Sequence, residues 1–278
     1  MKTVLLLFLC STLLLHAAPP MGIYEAINKA GYQRMLTPKI AKCYLSIVAG
    51  LEVSKHKKSL NNSTKVFEDN LQALQDFAPT IAIKDQFRYV RILWRNYKFV
   101  YTNEFNRENA GSILRVNNKI LRAGEEAVQL LEDYTLEENY TGNQELSNTD
   151  QHLSHIINLS GRQRMLTQRI TLYAIAKAYQ FGDSKLNKQY YFEAVSKFER
   201  AYRTLVASSY HTSQIYEEYN RVEESWEELE DDLTNIVKAS SLSIALEEKL
   251  EDSIKKSELL LFSLDEIVFL YERQKGNE

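Results

Sequence analysis

One fourteen-residue phrase occurs twice in this chain, and it limits the fold more than any other feature. Residues 27–40 read INKAGYQRMLTPKI and residues 157–170 read INLSGRQRMLTQRI, identical at nine of fourteen positions and in register at an offset of 130. Chance gives roughly one match over such a window, so the chain is expected to use one structural unit twice. Trp94 and Trp226 recur at almost the same offset. The units are placed at residues 21–140 and 147–278, joined by the polar stretch Glu137–Asp150.

What each unit is made of follows from what the chain lacks. Only 9 glycines and 4 prolines punctuate 278 residues, too few for an all-β chain of this size, so long helices are expected. Helices are predicted near 21–56, 62–78, 81–107 and 110–137, with Asn61-Asn62-Ser63-Thr64 as a cap, and again near 148–181, 184–208, 212–238 and 242–274. Short connections between helices of this length make neighbours antiparallel. The expected fold is all-α, as two tandem antiparallel four-helix bundles.

Before the first unit, Lys2, an apolar run from Val4 to Leu15 and Ala17-Ala18 predict a cleaved signal peptide over residues 1–18. The run is short for a bilayer span. The expectation is therefore an exported, periplasmic or secreted chain. Cys43 is then the sole cysteine, so no disulfide framework is expected. A net charge of −3 gives no reason to expect a nucleic-acid partner.

The repeated helix carries two buried-looking faces. Leu36, Ile40, Cys43 and Ile47 line one side of the first copy; Leu159, Leu166, Ile170 and Tyr173 line one side of the second. The opposite face sets Arg34 with Ile27, Gly31 and Pro38, and Arg164 with Ile157, Gly161 and Gln168. A solvated helix face is mostly Lys and Glu, and this one is not. A glycine there is expected to let another backbone approach. An arginine there offers a planar fork for a carboxylate or oxyanion. The two repeated helices are expected to pack on each other and set Arg34 and Arg164 beside a shared pocket. A carboxylate or anion must sit opposite each, because an unpaired buried arginine is costly.

These windows resemble the signature helix of the type IV pili methyl-accepting chemotaxis transducer N-terminal (PilJ-type) sensory domain. The stretch Ile157-Asn158-Leu159-Ser160-Gly161-Arg162-Gln163-Arg164-Met165 carries the likeness most fully. Ile27-Asn28-Lys29-Ala30-Gly31-Tyr32-Gln33-Arg34-Met35 is also similar to the recognition helix of periplasmic nitrate/nitrite sensor kinases. The resemblance implies helical bundles that sense small molecules, with an arginine at this position holding an anion across paired first helices. It makes Arg34 and Arg164 the ligand-binding arginines, with Asn28, Asn158, Gly31, Gly161, Gln33 and Gln163 around them. Both copies lie on one chain, so the pair forms either within a molecule, as a pseudo-dimer, or between two in a homodimer. Pro38 stands where the second copy has Gln168. It cannot donate to the Arg34 carbonyl, so a kink is expected there.

No P-loop, nucleophile elbow or dinucleotide fingerprint appears, and no enzyme activity or cofactor is expected. His152 and His155 have metal-ligand spacing but no third ligand. Two readings stand. The first is a non-catalytic sensory module that binds a small anionic or polar ligand and relays to a membrane-bound signalling protein. The second is a structural or interaction bundle that has lost its ligand, in which both arginines are satisfied by protein carboxylates.

Overall fold

A computed structural model describes residues 21–141 and 148–275, with side chains over 21–135 and 155–274. The expected signal peptide, the centre of the linker and the side chain of His152 fall outside the described residues. Among the described residues eight helices run in chain order: α1 Ile23–Ala49, α2 Val53–Phe77, α3 Ile81–Asn103, α4 Arg107–Thr141, α5 Asn148–Ala178, α6 Ser184–Val206, α7 Ser213–Lys238 and α8 Ile244–Lys275. No strand occurs among the described residues, and no described helix is long and apolar enough to cross a membrane.

Most breaks fall where turn chemistry puts them. Thr80 caps α3 by accepting from the Ile83 N–H, and Asp183 caps α6 by accepting from Lys185 and Leu186, which satisfies orphan first-turn donors. The first break does not. It was expected at residues 57–62, but α1 ends at Gly50, whose φ of +85° closes the helix in the left-handed region. Leu51 then donates back to the Ser46 carbonyl at 2.9 Å, a Schellman-type stop. The second copy stops the same way 130 residues on, with Gln180 at φ +54° and Phe181 donating to the Ala176 carbonyl at 2.8 Å. Asn61-Asn62-Ser63-Thr64 is not a cap and lies inside α2. There the Thr64 hydroxyl turns back to the Leu60 carbonyl, which quiets the residue inside a helix.

The two copies of the repeated helix form the centre. α1 packs on α2 and α4, α5 packs on α6 and α8, and the broadest helix contact in the molecule is α1 on α5. α1 is consequently buried nearly all round from Ala30 to Ile47, and a helix needs an apolar or self-satisfied surface on every side to be held so. Corresponding aromatic stacks brace the outer helices. Phe67 stacks on Trp94 with ring centroids 3.9 Å apart, and Phe198 on Trp226 at 4.0 Å.

Helix directions fix how the copies face each other. Arg34 meets Glu125 while Tyr44 meets Asn106, so α1 runs antiparallel to α4. Tyr173 meets Asn118 while Arg162 meets Glu125, so α4 also runs antiparallel to α5. α1 and α5 are therefore parallel, which puts equivalent residues of the two copies at equivalent heights.

Candidate functional site

On the parallel α1–α5 seam, each arginine reaches across to the other copy. Arg34 Nη2 donates to Asn158 Oδ1 at 2.6 Å, and Arg164 Nη2 donates to Asn28 Oδ1 at 2.9 Å. The other end of each fork meets a carboxylate of its own half. Arg34 Nη1 pairs with Glu125 at 3.0 Å, and Arg164 Nη1 pairs with Asp265 at 3.0 Å. The asparagines are held in turn: Asn158 donates to Glu132 at 2.8 Å, and Asn28 hydrogen-bonds Glu272. Two matching clamps result, each made of an arginine, two acids seven residues apart on the last helix of its half, and the opposite copy's asparagine.

Helical geometry explains the reach. Long side chains on a helix lean toward its N-terminus. Each guanidinium therefore lies over the turn before its own Cα, where Gly31 or Gly161 sits three residues back. A Cβ on Gly31 would lie 3.4 Å from Arg34 Nη2, and one on Gly161 would lie 3.2 Å from Arg164 Nη2. This corrects the expectation that the glycines admit another backbone; they make room for the arginine of their own helix. Gly124 on α4 does similar work: a Cβ there would lie 3.4 Å from the Arg34 Cγ.

The arginine side chains are only 2% and 5% exposed, so their partners decide their cost. Taking such a charge out of water is repaid only by close, charge-assisted contacts. Burial alone pushes Glu125 up, yet Arg34 and Arg162 together hold it below the ordinary carboxylate range. Glu132 and Glu272, facing an amide rather than a guanidinium, are pushed up by burial.

The expected residues separate into two groups. Asn28, Asn158, Gly31, Gly161, Arg34 and Arg164 converge on the seam. Gln33 and Gln163 do not. They turn outward, donating to the Phe67 carbonyl of α2 at 3.2 Å and the Phe198 carbonyl of α6 at 3.0 Å. Both are buried, and they tie the central helices to their neighbours. Each arginine has its own clamp. The four clamp carboxylates were not singled out by sequence. A signal existed: Glu125 and Glu132 recur as Asp265 and Glu272 at an offset of 140, not 130.

Pro38 leaves α1 helical on both sides. The carbonyl it orphans, that of Arg34, accepts from the Thr37 hydroxyl at 3.1 Å, and Tyr97 donates to the Thr37 carbonyl at 2.9 Å. On the second copy Gln168 takes that position, fully buried, with neither amide atom partnered. Arg34 Nε and Arg164 Nε are likewise buried without an acceptor. The seam therefore keeps three unfilled donor groups: the two Nε–H and the Gln168 amide.

Among the described residues no group of three or more His, Cys, Asp or Glu could hold a metal ion. Cys43 is buried in the core, which raises its thiol pKa. The family model for type IV pili methyl-accepting chemotaxis transducer N-terminal domains (PilJ) matches residues 22–100 and 146–249. Neither the curated proteins nor the solved structures contain a match.

Proposed function

The chain belongs to the PilJ family of chemotaxis-transducer N-terminal sensory domains, and on that premise we propose that it is a non-catalytic sensory module whose ligand is a small anion held at the α1–α5 seam. Each half, residues 21–140 and 147–278, supplies one copy of the sensing helix, so one chain makes the pair. The observation that carries this reading is the set of unfilled donors on the seam, Arg34 Nε, Arg164 Nε and the Gln168 amide. Buried donors without acceptors are costly, and a compact oxyanion of nitrate or small-carboxylate size answers several at once. Glu125 and Asp265 already occupy the outer nitrogens, as internal counterparts of an anionic ligand. A bound anion that loosened either clamp would shift α1 against α5. An exported chain would pass that shift to a membrane-bound signalling partner.

A second reading keeps the sensory fold and drops the ligand, leaving the clamps to fix the two halves in register. The saturation of all four Nη contacts by protein groups favours it. Glu125→Gln separates the readings, because it removes a competing charge and leaves the shape. A thermal-shift titration with nitrate, nitrite and acetate should show stabilisation of the wild type, about 2.7 kcal/mol at a hundredfold excess over Kd. The response should strengthen in Glu125→Gln and vanish in Arg34→Ala and Arg164→Ala. No response from any anion in wild type or Glu125→Gln would leave only the structural reading.

A further inference from the structure

A cavity lies on the flank of the seam, and the repeat shows why the cation beside it is paired in one half and unpaired in the other. It has a volume of about 620 Å³ between α4, α5 and α6, within the ~300–1,000 Å³ typical of small-molecule sites. Its rim carries Arg122, Arg169, Lys197 and Arg200, and its floor is apolar, formed by Leu159, Met165 and Leu166 among others. Among the described residues none of those four cations is in an ion pair. Glu125, the cavity's only carboxylate among the described residues, already serves Arg34 and Arg162. Arg169 lies against the faces of Tyr173 and Tyr190, 5.5 and 5.6 Å from their centroids, with its Nε buried and without an acceptor.

At the equivalent place in the first half the repeated helix's cation is already paired. Lys39 stands 130 residues before Arg169, and the smaller hollow beside it is lined by Tyr32, Leu36 and Ser59, the counterparts of Arg162, Leu166 and Tyr190. There Glu258 of α8 pairs with Lys39 at 2.9 Å and also with the buried Lys42. At the offset of 140 that aligns Glu125 with Asp265 and Glu132 with Glu272, the counterpart of Glu258 is Asn118. Asn118 lines the larger cavity, where its carbonyl accepts from the Tyr173 hydroxyl at 2.9 Å. The cation on the repeated helix is thus kept, Lys39 recurring as Arg169, while the carboxylate that pairs with it is replaced by a neutral amide.

We propose that the cavity between α4, α5 and α6 is an anion site distinct from the seam, taking an organic anion with two or more negative charges and an apolar body. The charges meet Arg169, Arg122, Lys197 and Arg200, and the body lies on Leu159, Met165 and Leu166. Arg162 forms the wall shared with the seam, through its 2.9 Å pair with Glu125. An anion drawing Arg162 away leaves Glu125 to Arg34 alone, which links the flank to the clamp.

Isothermal titration calorimetry of the full chain with citrate and with inorganic pyrophosphate tests this. At least one probe is expected to bind the wild type. Asn118→Glu restores the carboxylate that the other half carries and can still accept from Tyr173, so the fold and melting temperature should hold. Affinity in that variant should drop roughly tenfold or more through like-charge juxtaposition. Arg169→Ala should weaken binding similarly, and Arg164→Ala should leave it within about twofold, since that residue neither lines the cavity nor pairs with Glu125. Absence of heat with both probes up to ~10 mM, a weaker range than any specific site needs, would overturn the proposal. So would unchanged affinity in Asn118→Glu, or loss of binding in Arg164→Ala, which would move the anion to the seam. A seam that ignores nitrate while citrate still binds in the cavity defeats the functional reading and leaves this one standing.

Discussion

The two halves build the same clamp with different redundancy. In the first, Glu125 serves both Arg34 and Arg162 and is itself largely covered, while Gly124 lets α4 close on the Arg34 stem. In the second, Asp265 serves Arg164 alone and is 38% exposed, and the position equivalent to Arg162 is Tyr32, whose ring lies 5.5 Å from the Arg164 guanidinium. Water reaches Asp265 more than Glu125, 38% against 26% exposed, and only Glu125 has a second cation. The comparison shows that duplication preserved the geometry of the seam and let its electrostatics diverge. One clamp has gained a second cation on its carboxylate, and the other an aromatic ring beside its arginine.

The largest expected consequence is in the carboxylates. Glu125→Ala strands a buried guanidinium with only Asn158, and breaking a buried pair in this way costs about 3–5 kcal/mol. Asp265→Ala leaves Arg164 with Asn28 and the Tyr32 face, so its cost should be lower by about 1–2 kcal/mol, the size of a partly desolvated cation–π contact. Urea denaturation of the two variants measures the difference. Equal losses would mean that the halves are not electrostatically distinct.

Next come the glycines. A helical Gly→Ala exchange gains up to about 1 kcal/mol in propensity, set against the guanidinium that the methyl group meets. Arg164 is anchored by Asp265 and Asn28 and leaves 3.2 Å, whereas Arg34 leaves 3.4 Å. Gly161→Ala is therefore expected to destabilise by about 1 kcal/mol, an overpacking cost at the low end. Gly31→Ala should fall near zero. Thermal melts of both variants check the order, and a Gly31→Ala penalty exceeding that of Gly161→Ala would reverse it.

A dependence on pH belongs to the first half. His56 is buried; burial, and then the charge of Lys42, lower its pKa from 6.5 to about 4, with Lys55 adding to this and Glu52 and Glu258 opposing it. The folded state resists the proton that the unfolded chain accepts below 6.5. The stability His56 contributes is thus complete above pH 6.5 and is lost as pH falls from there toward 4. His56→Gln should flatten the stability–pH slope in that window relative to wild type, read by denaturation at pH 7, 5.5 and 4.5. An unchanged slope would mean that His56 is not the group responsible.

Much of this was legible in the sequence, because repetition exposes it. Asn28, Gly31 and Arg34 recur with their spacing intact, and that spacing is the clamp: the arginine leans back over the glycine and meets the other copy's asparagine. The helical class followed from scarce turn residues, and the breaks at Pro79 and Asp183 from their local chemistry. The end of α1 was hidden because Gly50 lies in an apolar run, while the polar Asn61-Asn62-Ser63-Thr64, read as a cap, rides along α2 with Asn61 and Asn62 exposed. Gln33 and Gln163 share the repeat with the arginines yet point to other helices, since residues adjacent on a helix face about 100° apart. The clamp acids stayed hidden among the chain's 37 acidic residues; they become visible only once the last helices are aligned at their own offset.

The central claim is that each copy's arginine is energetically coupled to the other copy's asparagine across the seam. A double-mutant cycle on Arg34→Ala and Asn158→Ala, read by equilibrium denaturation, tests it most directly, with Arg164→Ala and Asn28→Ala as the matching cycle. Residues in direct contact within one network couple by about 0.5–3 kcal/mol, whereas independent sites add to within about 0.5 kcal/mol. Coupling above about 1 kcal/mol in both cycles, charge-assisted contacts being the stronger kind, is the predicted result. Simple additivity in both would contradict the reciprocal clamp and, with it, the seam as the working part of this molecule.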